Sequence, residues 1–215
     1  MAKIPEGILG VVIGSLGPVT GKRWKKQLTI SSHRKKAKTD ANPTPKQGNQ
    51  RSKFGVVSHF LGGSSDLVKI TFKEISEERT EFQQAISYNI HKAVSGVKPD
   101  FTLHYDLVAV GRGSLPNAVR PEATAGDNKD EIRYTWADNT GIGLAAAGDI
   151  AVAVAYCPED HLWNWCPVGS ATRADGSVLM TTPAFGGTKV HTWLVFVTAE
   201  GKSSDSVYTG EVQVK

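Results

Sequence analysis

A chain of 215 residues, 40% of them hydrophobic, is long enough for one large domain or two small ones, and its 22 glycines favour a turn-rich, β-heavy fold. No apolar run reaches roughly 18 residues, which excludes a transmembrane helix; the two cysteines, Cys157 and Cys166, can neither staple a scaffold nor frame a zinc site, and read as reduced thiols in a core. The net charge of +4 is unevenly spread: Lys22 to Lys53 holds 11 basic residues against Asp40 alone, a local +10 that leaves −6 for the rest.

Residues 4–32 read as two glycine-punctuated strands. In the first, Ile8, Leu9, Val11, Val12 and Ile13 are interrupted by Gly10 and followed by Gly14, and glycines inside strands mark bulges or close backbone approach. In the second, Trp24, Leu28 and Ile30 alternate with Lys25 and Thr29. Ile8 to Leu16 faintly resembles a signal-peptide core, but Pro5 and Glu6 precede it and no small-x-small cleavage site follows, so secretion by the general route is not expected. Residues 33–49 have no hydrophobic pattern and carry Arg34, Lys35, Lys36, Lys38, Pro43 and Pro45, which predicts an exposed basic arm.

Helices follow. Phe54, Val57, Phe60 and Leu61 share one face of a helix expected from Gln50 to Leu61 and closed by Gly62-Gly63. Asp66 to Ile75 fits a helix or a strand; the serines before it favour a capped helix. Thr80-x-x-Gln83 is a capping box, and Phe82, Ala85, Ile86, Asn89, Ile90 and Ala93 keep helical spacing to Gly96. Phe101 to Val110 alternates as a strand, Gly111 to Pro116 is a turn-rich link, and Asn117 to Pro121 marks a boundary between two halves.

Beyond it, short strands recur at regular spacing: one near Val119, then Ile132–Trp136, Ile150–Tyr156, Leu162–Cys166, Ser177–Thr182, Lys189–Val197 and Ser206–Val214. Lys189–Val197 places Val190, Leu194 and Phe196 on one face and Trp193, Val195 and Val197 on the other, so it suits a central strand covered on both sides. Its partner alternates Tyr208, Val212 and Val214 against Thr209, Glu211 and Gln213, so one face is expected to be buried. About seven strands in about 95 residues predict a two-sheet sandwich that folds by itself. The fold class is therefore an α+β N-terminal part over residues 1–118, with two or three helices and the arm, followed by an all-β sandwich over 119–215.

Ile132-Arg-Tyr-Thr-Trp136, Ile150–Tyr156 and Trp193–Lys202 resemble a fibronectin type III-like domain. The resemblance makes Trp136 the core tryptophan of the second strand and puts Gly201 in the loop before the last. Where a tyrosine belongs early in the sixth strand, this chain has His191 and Thr192. Over its whole length the chain also resembles a family of uncharacterised bacterial proteins, on Gly7-Ile-Leu-Gly10, Gln50-Arg51-x-x-Phe54, Phe82-x-x-Ala85-x-Ser87-Tyr88-Asn89 and Gly169-x-x-Thr172-Arg173-x-Asp175-Gly176. That resemblance supports a fold and implies no mechanism.

Chemical motifs are sparse. Gly141 to Gly148 lacks the spacing of a dinucleotide-binding loop and reads as a long inter-strand loop. The six histidines are scattered, no G-x-S-x-G elbow occurs, and Glu159-Asp160-His161 reads as a polar turn rather than a metal site. No enzyme activity, cofactor or metal is expected. The candidate interaction residues are Lys22, Arg23, Trp24, Lys25, Lys26, Arg34, Lys35, Lys36, Lys38 and Arg51, a segment able to meet an acidic protein surface or nucleic-acid phosphates. The expected function is a non-enzymatic structural protein that self-associates into an oligomer or larger particle, since phage particle proteins often append such sandwiches to assembly domains. It would sit in the cytoplasm or within such a particle, away from membranes. The alternatives are a nucleic-acid-binding protein using residues 22–53, and a surface-binding module reading glycans or proteins through sandwich loops, with Trp163 and Trp165 exposed.

Overall fold

The computed structural model describes residues 2–3, 13–24, 27–32, 43–75 and 79–215. The chain divides into two compact units, Met1–Thr44 and Pro45–Lys215. The first is a four-stranded antiparallel sheet of β1 (Ala2–Lys3), β2 (Gly14–Leu16), β3 (Val19–Trp24) and β4 (Gln27–Ser32), in the order β1-β4-β3-β2. Trp24 pairs with Gln27, so the chain reverses between them, and the single strand expected from Trp24 to Ile30 is instead the end of one strand and the start of the next. The expected strand residues Ile8 to Val12 lie outside the described residues.

In the second unit α1 (Pro45–Leu61) begins five residues before the expected Gln50. A proline fits the first turn, where its missing N–H is not needed, so residues 45–49 belong to the helix and not to an arm. Val57, Phe60 and Leu61 are buried as their spacing implies, whereas Phe54 is 50% exposed. A short turn leads to α2 (Ser65–Thr71), the helical alternative of the ambiguous stretch. Then comes α3 (Glu81–Lys92), opened by the expected capping box: Gln83 N–H donates to Thr80 Oγ1 at 3.2 Å, and Thr80 N–H to Gln83 Oε1 at 3.3 Å. The helix stops at Lys92, short of Gly96, because the chain enters a hairpin of β5 (Val94–Val97) and β6 (Asp100–Leu103). Gly96 there has φ +98°, and a Cβ on it would sit 2.3 Å from the Asp100 carbonyl oxygen. The strand expected to Val110 therefore ends at Leu103, followed by a tight helical turn at Tyr105–Leu107.

Seven strands complete the unit: β7 (Val119–Ala125), β8 (Glu131–Ala137), β9 (Ile150–Cys157), β10 (Leu162–Trp165), β11 (Ser177–Thr181), β12 (Lys189–Val197) and β13 (Val207–Gln213). They form two antiparallel sheets, β11-β8-β7 and β10-β9-β12-β13. Ala151, Ala153, Ala155, Leu194 and Phe196 of the four-stranded sheet pack with Ile132, Tyr134, Trp136, Val178 and Met180 of the three-stranded one. The opposite side chains, Val152, Val154, Tyr156, Trp193, Val195 and Val197, pack with Phe60, Leu61, Leu67, Val68, Phe72 and Ile90 of the helices. The chain is thus a mixed α+β protein with a large β part, and β12 is covered on both sides by the side chains its alternation assigned. The expected boundary at 118/119 falls within this unit, whose helices and strands share a core.

The return strand departs from simple alternation. Trp193 pairs with Tyr208 but Thr192 with Gly210, so Thr209 is an extra residue and the register shifts. Gly210 takes up the bulge at φ +105°. Tyr208 consequently packs with the helical core while Val212 and Val214 lie in the other one, where uninterrupted alternation would have put all three on one face.

Candidate functional site

Cross-strand pairs in the N-terminal sheet share a face. Leu16 opposes Val19, Gly21 opposes Ile30 and Arg23 opposes Leu28, while Ser15 opposes Thr20 and Lys22 opposes Thr29. One face is therefore mainly apolar, with Leu16, Val19, Leu28 and Ile30 beside two glycines, Ser32 opposite Val19 and Arg23 at its end; the other holds Ser15, Thr20, Lys22, Thr29 and Ser31, and the register puts Trp24 on it rather than with Leu28 and Ile30 as expected. Apolar faces of sheets are normally buried, yet among the described side chains of this unit only Gly21 is buried. Leu16 is 65% exposed, and Ile13 just before β2 is 66% exposed. β2 also stands at an edge of the sheet, with its outward backbone groups unpaired among the described strands.

Of the expected interaction residues, only Lys22, Arg23 and Arg51 have described side chains. Lys22 and Arg23 are both exposed but project from opposite faces, as neighbours in a strand must. Trp24 closes β3, and only its backbone is described. Lys25, Lys26, Arg34, Lys35, Lys36 and Lys38 lie outside the described residues. Arg51 is exposed on α1, in the other unit. The apolar face was missed because its residues come from three strands, and the pairing that aligns them is not written in their spacing.

The aromatics considered for surface recognition are occupied. Trp163 and Trp165 are half-buried against the helical core, and Trp163 Nε1–H donates to the Phe60 carbonyl at 2.8 Å, satisfying an oxygen at the end of α1. Around them Tyr105 stacks on His191 with ring centroids 3.9 Å apart, and Tyr208 O–H lies 2.8 Å from His191 Nδ1. Burial holds the His191 imidazole below its ordinary range, only partly opposed by Glu211. His161 meets Tyr156 O–H at 3.0 Å through Nδ1, and among the described residues no three of His, Cys, Asp and Glu gather as metal ligands. Cys157 and Cys166 are both buried and unpaired, and burial pushes the Cys166 thiol up to about 11.

A polar cluster not singled out by its chemistry lies at one end of the sandwich. Arg173 is fully buried and donates from Nε to Asp149 Oδ2 at 2.9 Å, from one terminal nitrogen to Asn139 Oδ1 at 2.6 Å and from the other to the Pro116 carbonyl at 3.0 Å. Trp136 Nε1–H donates to the Arg173 carbonyl at 2.8 Å. Every guanidinium nitrogen is satisfied, so this is a structural knot rather than an open site. Its only hint in the sequence was the Thr172-Arg173-x-Asp175-Gly176 run.

No described helix is long and apolar enough to cross a membrane. A family model described as a family of unknown function, DUF6266, matches residues 11–210. No curated protein matches the chain. Among solved structures, the crystal structure of a family 76 glycoside hydrolase from a bovine Bacteroides thetaiotaomicron strain is 18% identical, over 44% of this chain and 19% of that one, with a TM-score of 0.33. A likeness that slight bears on neither fold nor activity.

Proposed function

Because the chain belongs to DUF6266, a family of unknown function, membership brings no activity with it, and we propose from the chain's own geometry a non-enzymatic structural protein that self-associates through its N-terminal sheet. The observation that carries this reading is the apolar face of Leu16, Val19, Leu28 and Ile30, in a sheet whose described side chains bury only Gly21. A sheet gains stability by burying an apolar face, and a few small strands do not hold together in water without that. A second copy can supply the cover, and the exposed edge β2 can accept its backbone as a further strand. The charge asymmetry supports the same partner, since the segment from Lys22 to Lys53 is strongly basic and the remainder acidic.

The C-terminal strands support a fibronectin type III-like sandwich that shares its core with the helices before it rather than standing apart from them. Three strands face four, Trp136 is buried on the second strand, and Gly201 lies in the loop before the last with φ +91°. His191 stands where that resemblance expects a tyrosine, and it bonds to Tyr208 instead.

Light scattering at low and high salt tests the assembly. The full-length protein is expected to form a defined oligomer, and a Leu16→Lys, Leu28→Lys variant to fall to monomers while keeping the near-ultraviolet dichroism of its buried tryptophans. A wild-type protein that stays monomeric across a wide concentration range at low salt overturns the reading. Binding to nucleic acid with steep salt dependence, lost on charge reversal at Lys22 and Arg23, would favour the nucleic-acid alternative.

A further inference from the structure

A cleft of about 430 Å³ opens on the outer side of α3 in the second unit, between that helix and the link that follows β6. Three basic groups line it: His91 and Lys92 from the last turn of α3, and Arg112 from the link. Ser87 and Gln84, one and two turns earlier, add neutral hydrogen-bonding groups, and among the described residues no carboxylate lines the cleft. The Tyr88 ring supplies an apolar surface, backed by Phe72, which is 1% exposed.

Arg112 is held in place. Its N–H donates to the Thr71 carbonyl at 3.0 Å, and its own carbonyl accepts from Ser203 Oγ at 2.7 Å. The flanking glycines make this path possible: a Cβ on Gly111 would lie 2.8 Å from a Val195 methyl, and one on Gly113 would lie 2.0 Å from the Ser203 carbonyl oxygen. The guanidinium lies over the Tyr88 ring, 4.3 Å from its centroid. Arg112 Nε is enclosed and has no hydrogen-bond acceptor among the described residues. The Asp205 oxygen that pairs with it stands 3.6 Å away, beyond hydrogen-bond length. Glu74, in an adjoining hollow that shares Arg112, accepts from Ser114 and Ser203.

We infer that this cleft binds a small organic phosphate monoester. Two cations, Lys92 and Arg112, with the His91 ring beside them, suit a dianion better than a monoanion, and a planar guanidinium offers paired donors that match phosphate oxygens. The Tyr88 side of the cleft then accommodates the organic body. The site lies wholly in the second unit and does not depend on self-association.

Calorimetric titration of the full-length protein with phenyl phosphate tests it, with inorganic phosphate as a second arm. Phenyl phosphate is expected to saturate below about 1 mM and to bind more tightly than inorganic phosphate. Lys92→Gln, at an exposed position where folding is not at stake, and Arg112→Gln are each expected to weaken it about ten-fold, while Arg120→Gln leaves it unchanged. No saturation by about 10 mM overturns the assignment, as does equal affinity for the two phosphates, which would mark an adventitious ion only. Unchanged affinity in the Lys92 variant overturns it too, whatever the Arg112 variant does.

Discussion

Arg173 sits over Phe196, its guanidinium carbon 3.8 Å from the ring centroid, while its nitrogens hold Asp149, Asn139 and the Pro116 carbonyl. One buried side chain thus ties the loop before β7, the loop before β9 and the core strand β12 together. A charge in such a place is tolerated only because its partner is also buried, Asp149 being 2% exposed. Arg173→Met is expected to cost about 3–5 kcal/mol in urea unfolding, because it strands the Asp149 carboxylate. Arg173→Met with Asp149→Asn should cost clearly less than the sum of the two single changes. Additivity would mean that the pair is not coupled.

The two-sided burial of β9 and β12 changes the expectation that residues 119–215 fold alone. Cut there, the fragment exposes Val152, Val154, Tyr156, Trp193, Val195 and Val197. At about 1.5–3 kcal/mol each, that is roughly 9–18 kcal/mol, comparable to the whole stability of a domain. The fragment 45–215 should give a dispersed proton NMR spectrum, and 119–215 a collapsed or aggregated one. A dispersed spectrum from the shorter piece would show that the helical layer is dispensable.

His191 predicts a pH dependence. Its folded pKa is lowered from 6.5, chiefly by burial against Tyr105 and Tyr208, with Glu211 pulling the other way. The unfolded chain therefore binds the proton more readily. The contribution of the neutral ring is fully present above about pH 6.5 and is lost as pH falls through the lower folded value. Thermal melts from pH 7.5 to 5 should show a decline that His191→Gln flattens. An identical slope in the variant would assign the decline to other groups.

Gly210 is expected to resist substitution. At φ +105° a side chain is strained, so Gly210→Val should destabilise by about 1–3 kcal/mol. The Trp193 fluorescence should shift as well, because the bulge sets Tyr208 beside that ring, with centroids 5.6 Å apart. A variant as stable as the parent would show that the strand can re-register.

What the sequence revealed and what it hid follow from range. Lys189–Val197 announced both its faces, since alternation is local, and Thr80-x-x-Gln83 announced a helix start for the same reason. The beginning of α1 was hidden because Lys46, Gln47 and Asn49 carry no apolar stripe, and the helix draws on tertiary packing later on. The reversal between Trp24 and Gln27 lacks the glycine, asparagine or proline that usually marks a tight turn. Asp149 and Arg173 stand 24 residues apart, and no spacing rule links such a pair. The apolar face of the N-terminal sheet and the basic cleft beside α3 likewise exist only once separate segments meet.

A sheet sandwiched between helices and a second sheet has no broad side left to offer the outside world. Whatever meets this protein in its second unit must therefore come in at a rim, along a loop, over the outer surface of the helices, or on the outer face of the β11-β8-β7 sheet, where Arg133, Thr135 and Leu179 are exposed. A mutational survey for contacts can pass over the interiors of β9 and β12, where any loss would report on folding alone. It gains most from positions such as Phe54, Ile142, Leu144 and Val168, whose apolar side chains stand in solvent although the fold gives them nothing to cover.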